Sequence, residues 1–277
     1  TKNPRFSWDS YRRFIQLFGK VVFGVNDEKF DHVLDSAKNK QGVKDDSKLN
    51  VESLKKIVSE YKKICETHTK RKFPDTPNEQ LGLAIEAVFR SWMGERAVVY
   101  REKNGITKDI ANGTAVNVVT MVFGNMGDDS ATGVVFTRNG HNGKREIEGE
   151  YLINAQGEDV VAGVRTGKNV DLLKKEMPKS HKELSNACAR LEKHFREPQD
   201  IEFTIEQGKF YLLQTRTAKM SAGALVKTSV DMVKEKLIDK NKALTRIPAQ
   251  QLEALLHRTM DESKIKEHKK LAKGIAA

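Results

Sequence analysis

One stretch of alternating residues in this sequence carries a dense set of chemically useful side chains. Asp200-Ile201-Glu202-Phe203-Thr204-Ile205 is followed, after Gln207-Gly208, by Phe210-Tyr211-Leu212-Leu213-Gln214-Thr215-Arg216. As strands, the first run puts Asp200, Glu202 and Thr204 on one face and Ile201, Phe203 and Ile205 on the other, because side chains alternate along a strand. The second run puts Gln214 and Arg216 together. Directly opposed residues of an antiparallel hairpin have a constant sum of residue numbers. A two-residue loop at Gln207-Gly208 makes that sum 415, and one extra residue, with Gly208 at positive φ as a bulge, makes it 416. At the larger sum Glu202 faces Gln214 and Asp200 faces Arg216. Two carboxylates and an amide oxygen suit a hard cation such as Mg2+, and a guanidinium suits phosphate. On that reading the face opens into a cleft. A solvated surface hairpin with an Asp–Arg cross-strand pair is the other reading that the spacing leaves open.

A second stretch, Gly149-Glu150-Tyr151-Leu152-Ile153-Asn154-Ala155-Gln156-Gly157-Glu158-Asp159, runs a strand into a glycine turn followed by two acids. Carboxylates beside such a turn can hold ribose hydroxyls or a metal, although acidic turn residues are most often simply solvated. The spacing is not the dinucleotide fingerprint, and no phosphate-binding P-loop motif occurs in the sequence. The seven histidines are scattered through charged, helical contexts, so no nucleophile–histidine–acid constellation can be assembled. Cys65 and Cys188 form no CxxC pair, which argues against structural zinc and fits a reducing compartment.

The elements that must position these residues divide by their grammar. Residues 9–22, 27–38 and 51–66 show apolar stripes of helical period, and 70–77 read as a proline-bearing linker. A further helix is expected at 78–92. Short β-rich runs follow at 97–102, 114–124, 132–138, 149–155 and 158–164, punctuated by Gly, Asn and Asp. Helices are expected at 169–176 and 180–196, before the hairpin, and at 222–237, 248–257 and 260–273 after it. The fold class is α+β, with an antiparallel-rich sheet and segregated helices. The domains expected are a helical subdomain at 1–77, a sheet-bearing part at 78–122 and 123–219, and linker helices at 220–277.

Composition bounds the partners. The chain has 277 residues, 38% hydrophobic and 31% charged, with a mean hydropathy of −0.59. No stretch reaches the ~18 apolar residues of a spanning helix, so no membrane is expected. The net charge of +11 is uneven: residues 1–75 and 217–277 each carry +6, and 76–216 carry −1. The basic ends are lysines interspersed with acids and few aromatics, the pattern of solvated helices rather than of a nucleic-acid face. The chain starts at Thr1-Lys2-Asn3-Pro4 without a signal peptide and reads as a piece of a longer protein. Its compartment is expected to be the cytoplasm, or an organelle such as a glycosome or plastid.

Both stretches resemble the nucleotide-binding domain family of the pyruvate, phosphate dikinases. So do NPRFSWDSYRRFIQLFG (3–19), EAVFRSW (86–92), RAVVYR (96–101), GTAVNVVTMVFGN (113–125), TGVVFTRN (132–139), LEKHFR (191–196) and LAKGIAA (271–277). The resemblance implies an ATP-grasp fold, with 78–122 belonging to its first lobe and 123–219 forming its second. It implies a phosphotransferase that uses ATP, Mg2+ and inorganic phosphate to phosphorylate a histidine on a swivelling domain, the phosphoryl group then converting pyruvate to phosphoenolpyruvate. It places Asp200, Glu202 and Gln214 on the family's metal and phosphate ligands, with Gln214 and Arg216 at the reacting phosphates. Thr132, Glu150, Glu158, Asp159 and Arg13 fall on positions associated with the nucleotide. The full enzyme is implied to be a homodimer that binds neither nucleic acid nor membrane. Three places depart from the pattern: Val119 stands for a usual Gln, Gly140-His141-Asn142-Gly143 replaces a proline turn, and Arg258 stands for a Pro. The family's domain also starts well upstream of Thr1, with further phosphate-holding groups, so the chain alone is expected to be inactive. A phosphoenolpyruvate synthase-like or glucan dikinase, or a non-catalytic basic helical module, are the competing readings.

Overall fold

The computed structural model describes residues 3–161 and 166–256. It falls into two compact units, Thr1–Thr120 and Met121–Ala277. The architecture is α+β: the described part of the first unit is helical, and the second is built on one antiparallel sheet.

The first unit contains α1 (Pro4–Val21), α2 (Glu28–Gln41), α3 (Val51–Thr69), α4 (Pro77–Ser91) and α5 (Glu95–Lys103). Local signals fix the helix starts. The Asn3 side chain accepts from the Phe6 amide at 3.0 Å with Pro4 at the first helical position, and Asn50 accepts from the Ser53 amide at 2.9 Å. The apolar stripes then meet: Ile15 and Phe18 of α1, Phe30 of α2, and Leu54, Ile57, Tyr61 and Cys65 of α3 are buried together with Phe73.

Gly19 makes that contact possible. A Cβ there would lie 2.6 Å from the Phe30 ring and 2.9 Å from the Cys65 sulfur. Gly19→Ala is therefore expected to destabilise the protein by about 1–3 kcal/mol through overpacking. Gly82, inside α4 with open space around it, is expected to gain about 0.5–1 kcal/mol on the same change. Urea denaturation of both variants checks this; a Gly19→Ala protein as stable as its parent would contradict the packing argument.

The second unit holds β1 (Ala131–Phe136), β2 (Glu148–Ile153), α6 (Gly157–Val161), β3 (Lys168–Asn169), α7 (Leu173–Glu176), α8 (Pro178–Phe195), β4 (Gln199–Glu206) and β5 (Lys209–Thr217). Helices α9 (Ala222–Lys234), α10 (Lys240–Thr245) and α11 (Ala249–Leu256) follow. Strand order is β3-β2-β1-β4-β5, and every pair is antiparallel. One face of the sheet buries Ala131, Val135, Tyr151, Ile201, Phe203 and Ile205 against Leu184 and Cys188 of α8 and Leu173 of α7. Burial, with Glu192 nearby, pushes the Cys188 thiol up to about 12, which leaves it a packing residue rather than a nucleophile.

A buried ion cluster ties this unit together. Arg138, just past β1, is wholly buried. It donates to Glu192 of α8 at 2.7 and 3.0 Å and to Glu235, past α9, at 3.1 and 2.6 Å. Glu192 also accepts from Thr137 Oγ1 at 3.2 Å.

Three expected strands turn out otherwise. Residues 97–102 lie in α5. Four apolar residues are too few to tell strand from helix by period, and here Arg101 stacks on Trp92, its Cζ 3.9 Å from the ring centre. Residues 114–124 join no ladder among the described residues, and Val118 and Val119 are exposed; a β-branched run makes a strand only with a neighbour to pair with. The run 158–164 starts as α6, and its residues 162–165 lie outside the described part, as does the helix expected at 260–273.

Candidate functional site

The β4–β5 hairpin combines both of the registers that the sequence allows. Its loop is the tight two-residue one: Gln207 (φ 48°) and Gly208 (φ 75°) both take left-handed conformations, the pairing of signs that matches the twist of the strands. Near the loop Ile205 faces Phe210 and Phe203 faces Leu212. The register then shifts between Glu202 and Phe203, so that Glu202 faces Gln214 and Asp200 faces Arg216. The extra residue is Leu213, inside the strand, not a third residue in the loop.

Pairing across four strands builds rows of side chains on the face opposite α8. One row runs Glu150, Val134, Glu202, Gln214; the next runs Glu148, Phe136, Asp200, Arg216; a third starts Leu152, Thr132, Thr204. Thr132, Glu150, Asp200, Glu202, Gln214 and Arg216 thus share one face. Arg216 Nε donates to Asp200 Oδ2 at 2.6 Å, and its Nη2 lies 3.8 Å from Glu202 Oε1. The hydrogen bond to Asp200, reinforced by its charge, raises the Arg216 guanidinium above its ordinary value. Asp200 is buried, yet its Oδ1 has no hydrogen-bond partner. A buried carboxylate oxygen left bare is costly unless something else fills that role.

Other nominated residues sit differently. The Thr132 hydroxyl is already engaged, donating to the Phe203 carbonyl at 3.1 Å. Glu150 is exposed, its carboxylate lying against Gly167, where a Cβ would meet Oε2 at 2.1 Å. Glu158 and Asp159 open α6; Glu158 is exposed, and buried Asp159 accepts from the Gln156 amide at 2.9 Å. Arg13 belongs to the first unit. There its Nη2 lies 3.0 Å from Asp46 Oδ2 and its Nε 3.6 Å from Asp9 Oδ2, beside Arg12. Burial acts to raise the Asp46 carboxyl, but Arg12 and Arg13 hold it below its usual range.

Among the described residues of this unit, no cleft encloses the hairpin's polar face. Gln214 is exposed and the Arg216 side chain is 58% exposed. A groove of about 1210 Å³ does flank the hairpin, but on the opposite face, between α8 and β5. The loop at Gly140-His141-Asn142-Gly143 closes without proline: Asn139 Oδ1 accepts from the His141 and Asn142 amides at 3.0 Å each. Val119 is 81% exposed, and Arg258 lies outside the described residues.

Two acids escaped the motif reading. Glu206 Oε2 accepts from the Phe123 amide at 2.6 Å, and Glu148 Oε2 accepts from the Gly140 amide at 3.3 Å. Both continue the even-numbered parity of their strands, so alternation alone could have placed them on this face.

Among the described residues no cluster of three or more His, Cys, Asp or Glu side chains is arranged to hold a metal. Asp200 and Glu202, with the Gln214 amide, are an oxygen donor set of the right hardness for Mg2+. They are too few for an all-protein cage, which matches how Mg2+ binds beside phosphates, through one or two carboxylates. The bare Asp200 Oδ1 fits such an ion.

Comparison with known proteins decides the family. The model of the pyruvate phosphate dikinase AMP/ATP-binding domain matches residues 35–184 and 169–237. The chain belongs to this family. Among similar proteins, the pyruvate, phosphate dikinase of Entamoeba histolytica is 50% identical over 262 residues, covering 94% of this chain and 30% of that protein. That of Clostridium symbiosum is 48% identical over 267 residues, covering 96% and 30%. The chloroplastic pyruvate, phosphate dikinase 1 of Arabidopsis thaliana is 45% identical over 273 residues, covering 99% and 28%. The chain therefore spans under a third of the length of these dikinases. Among the described residues of this dikinase-family chain, no helix is long and apolar enough to cross a membrane.

Proposed function

We propose that this chain is the nucleotide-binding part of a pyruvate, phosphate dikinase, with an ATP-grasp arrangement in which 78–122 contributes to one lobe and 123–219 forms the other. The observation that carries the reading is the row geometry around Asp200: a buried, unpartnered carboxylate oxygen beside Glu202 and Gln214, with Arg216 on the same face. Asp200, Glu202 and Gln214 would hold Mg2+, which when bound neutralises charge on the triphosphate. Arg216, anchored through Nε by Asp200, keeps its terminal nitrogens for phosphate oxygens, a role suited to its planar fork. Glu150, Glu158 and Asp159 supply acceptors for the nucleoside, with Thr132 stiffening the sheet beneath them. Arg13, which in this structure lies against Asp46 and Asp9, is the remaining residue assigned to the nucleotide. Phosphoryl transfer needs mostly positioning and charge neutralisation, and these residue types provide both. The acceptor would be a histidine on a swivelling domain of a homodimeric full-length enzyme, with ATP and inorganic phosphate as substrates.

Titration calorimetry of the full-length enzyme with a non-hydrolysable ATP analogue tests this. Mg2+ is expected to tighten binding to the parent, and Glu202→Gln is expected to lose that gain while keeping its melting temperature. Equal Mg2+-dependent binding by Glu202→Gln would overturn the assignment.

A further inference from the structure

The groove on the other face of the hairpin has the build of a peptide-docking site. β5 is an outer strand of the sheet, and its free edge pairs with no strand among the described residues. α8 runs beside it, its first turn tied to the hairpin loop by Ser180 Oγ donating to the Gly208 carbonyl at 3.3 Å. The floor between them is apolar, formed by Leu191 and Phe195 of α8 and Phe210 and Leu212 of β5. Phe195 is 48% exposed and Leu212 42%. The rim is cationic: Arg190, Lys193, Arg196 and Lys209 line it. Among the described residues none of these four has a carboxylate within salt-bridge distance. Glu183, at the other end of α8, is the single acid in the lining.

We infer that this groove binds an extended acidic–apolar segment of a separate partner protein, which adds a strand to the edge of β5. The lining runs from Glu183 to Arg196 along α8, about 20 Å at the helical rise. That length takes roughly six residues of extended chain. An outer strand beside a helix offers main-chain hydrogen bonds on one side and pockets for alternate side chains on the other. Apolar residues of the segment would meet the floor, and its carboxylates the four cations of the rim, of which Lys209 lies over the Tyr211 ring at 4.9 Å. A second copy of this chain fits poorly, since it would bring a like-charged rim against this one. An apolar floor with a charged, hydrated rim is the composition of a non-obligate interface, which points to a partner that comes and goes. Nucleic acid would use the cations but leave the apolar floor and the strand edge idle.

The test uses the full-length enzyme and a fluorescein-labelled octapeptide of alternating Glu and Val, followed by anisotropy. Saturable binding is expected. It should weaken about tenfold or more in Arg190→Glu/Lys193→Glu, and it should be lost when alternate peptide nitrogens are methylated. Both substituted side chains lie on the groove's rim, and circular dichroism checks that the variant melts as the parent does. Three results would overturn the inference. One is no binding to the full-length enzyme, including the case where one of its own segments covers the groove. Another is binding unchanged by the double substitution or by methylation. The third is a single-stranded RNA oligonucleotide that binds as tightly and displaces the peptide.

Discussion

Arg216→Ala in the full-length dikinase is expected to lower the ATP half-reaction by about 10²–10³-fold, the usual cost of one preorganised charge contact to a transition state. The pyruvate half-reaction, exchange between pyruvate and phosphoenolpyruvate, should stay near the parent rate, because on the proposed reading it takes place on another domain. The separation follows from the geometry. Arg216 is 58% exposed in its side chain and, among the described residues, pairs with Asp200 and, at 3.8 Å, Glu202. Its partner Asp200 is buried, with a side chain 11% exposed, and would lose that donor, so a modest fall in melting temperature is expected beside the far larger loss of rate. Arg216→Lys should recover only part of the loss, since an ammonium keeps the charge but not the two-pronged fork. Measuring both half-reactions and the melting temperature separates the alternatives. An ATP half-reaction near the parent rate, or one lost only through unfolding, would remove Arg216 from the chemistry.

The largest effect on folding is expected at Arg138. Its guanidinium, wholly buried, serves Glu192 and Glu235 together. Arg138→Met keeps the apolar volume but leaves Glu192, itself only 5% exposed, as an unpaired buried carboxylate. Breaking such a pair from one side costs about 3–5 kcal/mol. Adding Glu192→Gln removes the stranded charge and should return a sizeable part of that loss, so the two changes should be strongly non-additive. Urea denaturation, with amide exchange followed in β1 and β4, reads both quantities. A single variant as stable as the parent, or two changes that simply add, would show that the cluster is not a clamp.

Much of the architecture is legible in the sequence where one physical rule dominates. α1 and α3 are read from their apolar stripes because those stripes are what packs, but α1 starts at Pro4, five residues ahead of the expected start at residue 9, because Asn3 caps it there and Asp9 lies inside the helix, paired with Arg12. The hairpin is read from strict alternation around Gln207-Gly208. Legibility fails where the deciding partner is distant in the chain. Residues 97–102 carry strand-like side chains, yet the stacking of Arg101 on Trp92 accompanies a helix. Residues 114–124 carry a strand composition and join no ladder among the described residues. Arg138 sits in a motif that is easy to recognise, but nothing local shows that its counter-charges lie 54 and 97 residues away. For the candidate site, parity places Asp200, Glu202, Gln214 and Arg216 on one face, and pairing through β1 adds Glu150. Whether that face is roofed is a property of packing, which alternation does not encode; among the described residues Gln214 and Arg216 are exposed.

Leu213 amounts to a change of phase. The two-residue turn sets which way side chains point at Glu206 and Lys209, and an unbroken ladder would carry that phase along β5 and aim Gln214 and Arg216 at α8. One supernumerary residue advances the alternation by half a period. It lets Phe210 and Leu212 face the helix while Gln214 and Arg216 face the carboxylates. A single strand therefore serves two unrelated surfaces, and the count of residues is decoupled from the direction they point. The asymmetry is sharp. Excising Leu213 would leave Gln214 opposite Glu202 and Arg216 opposite Asp200 in a regular ladder. Excising Thr215 would swing Arg216 round to the side of Ile201. In this hairpin a deletion is silent or ruinous according to which side of Gln214 it falls.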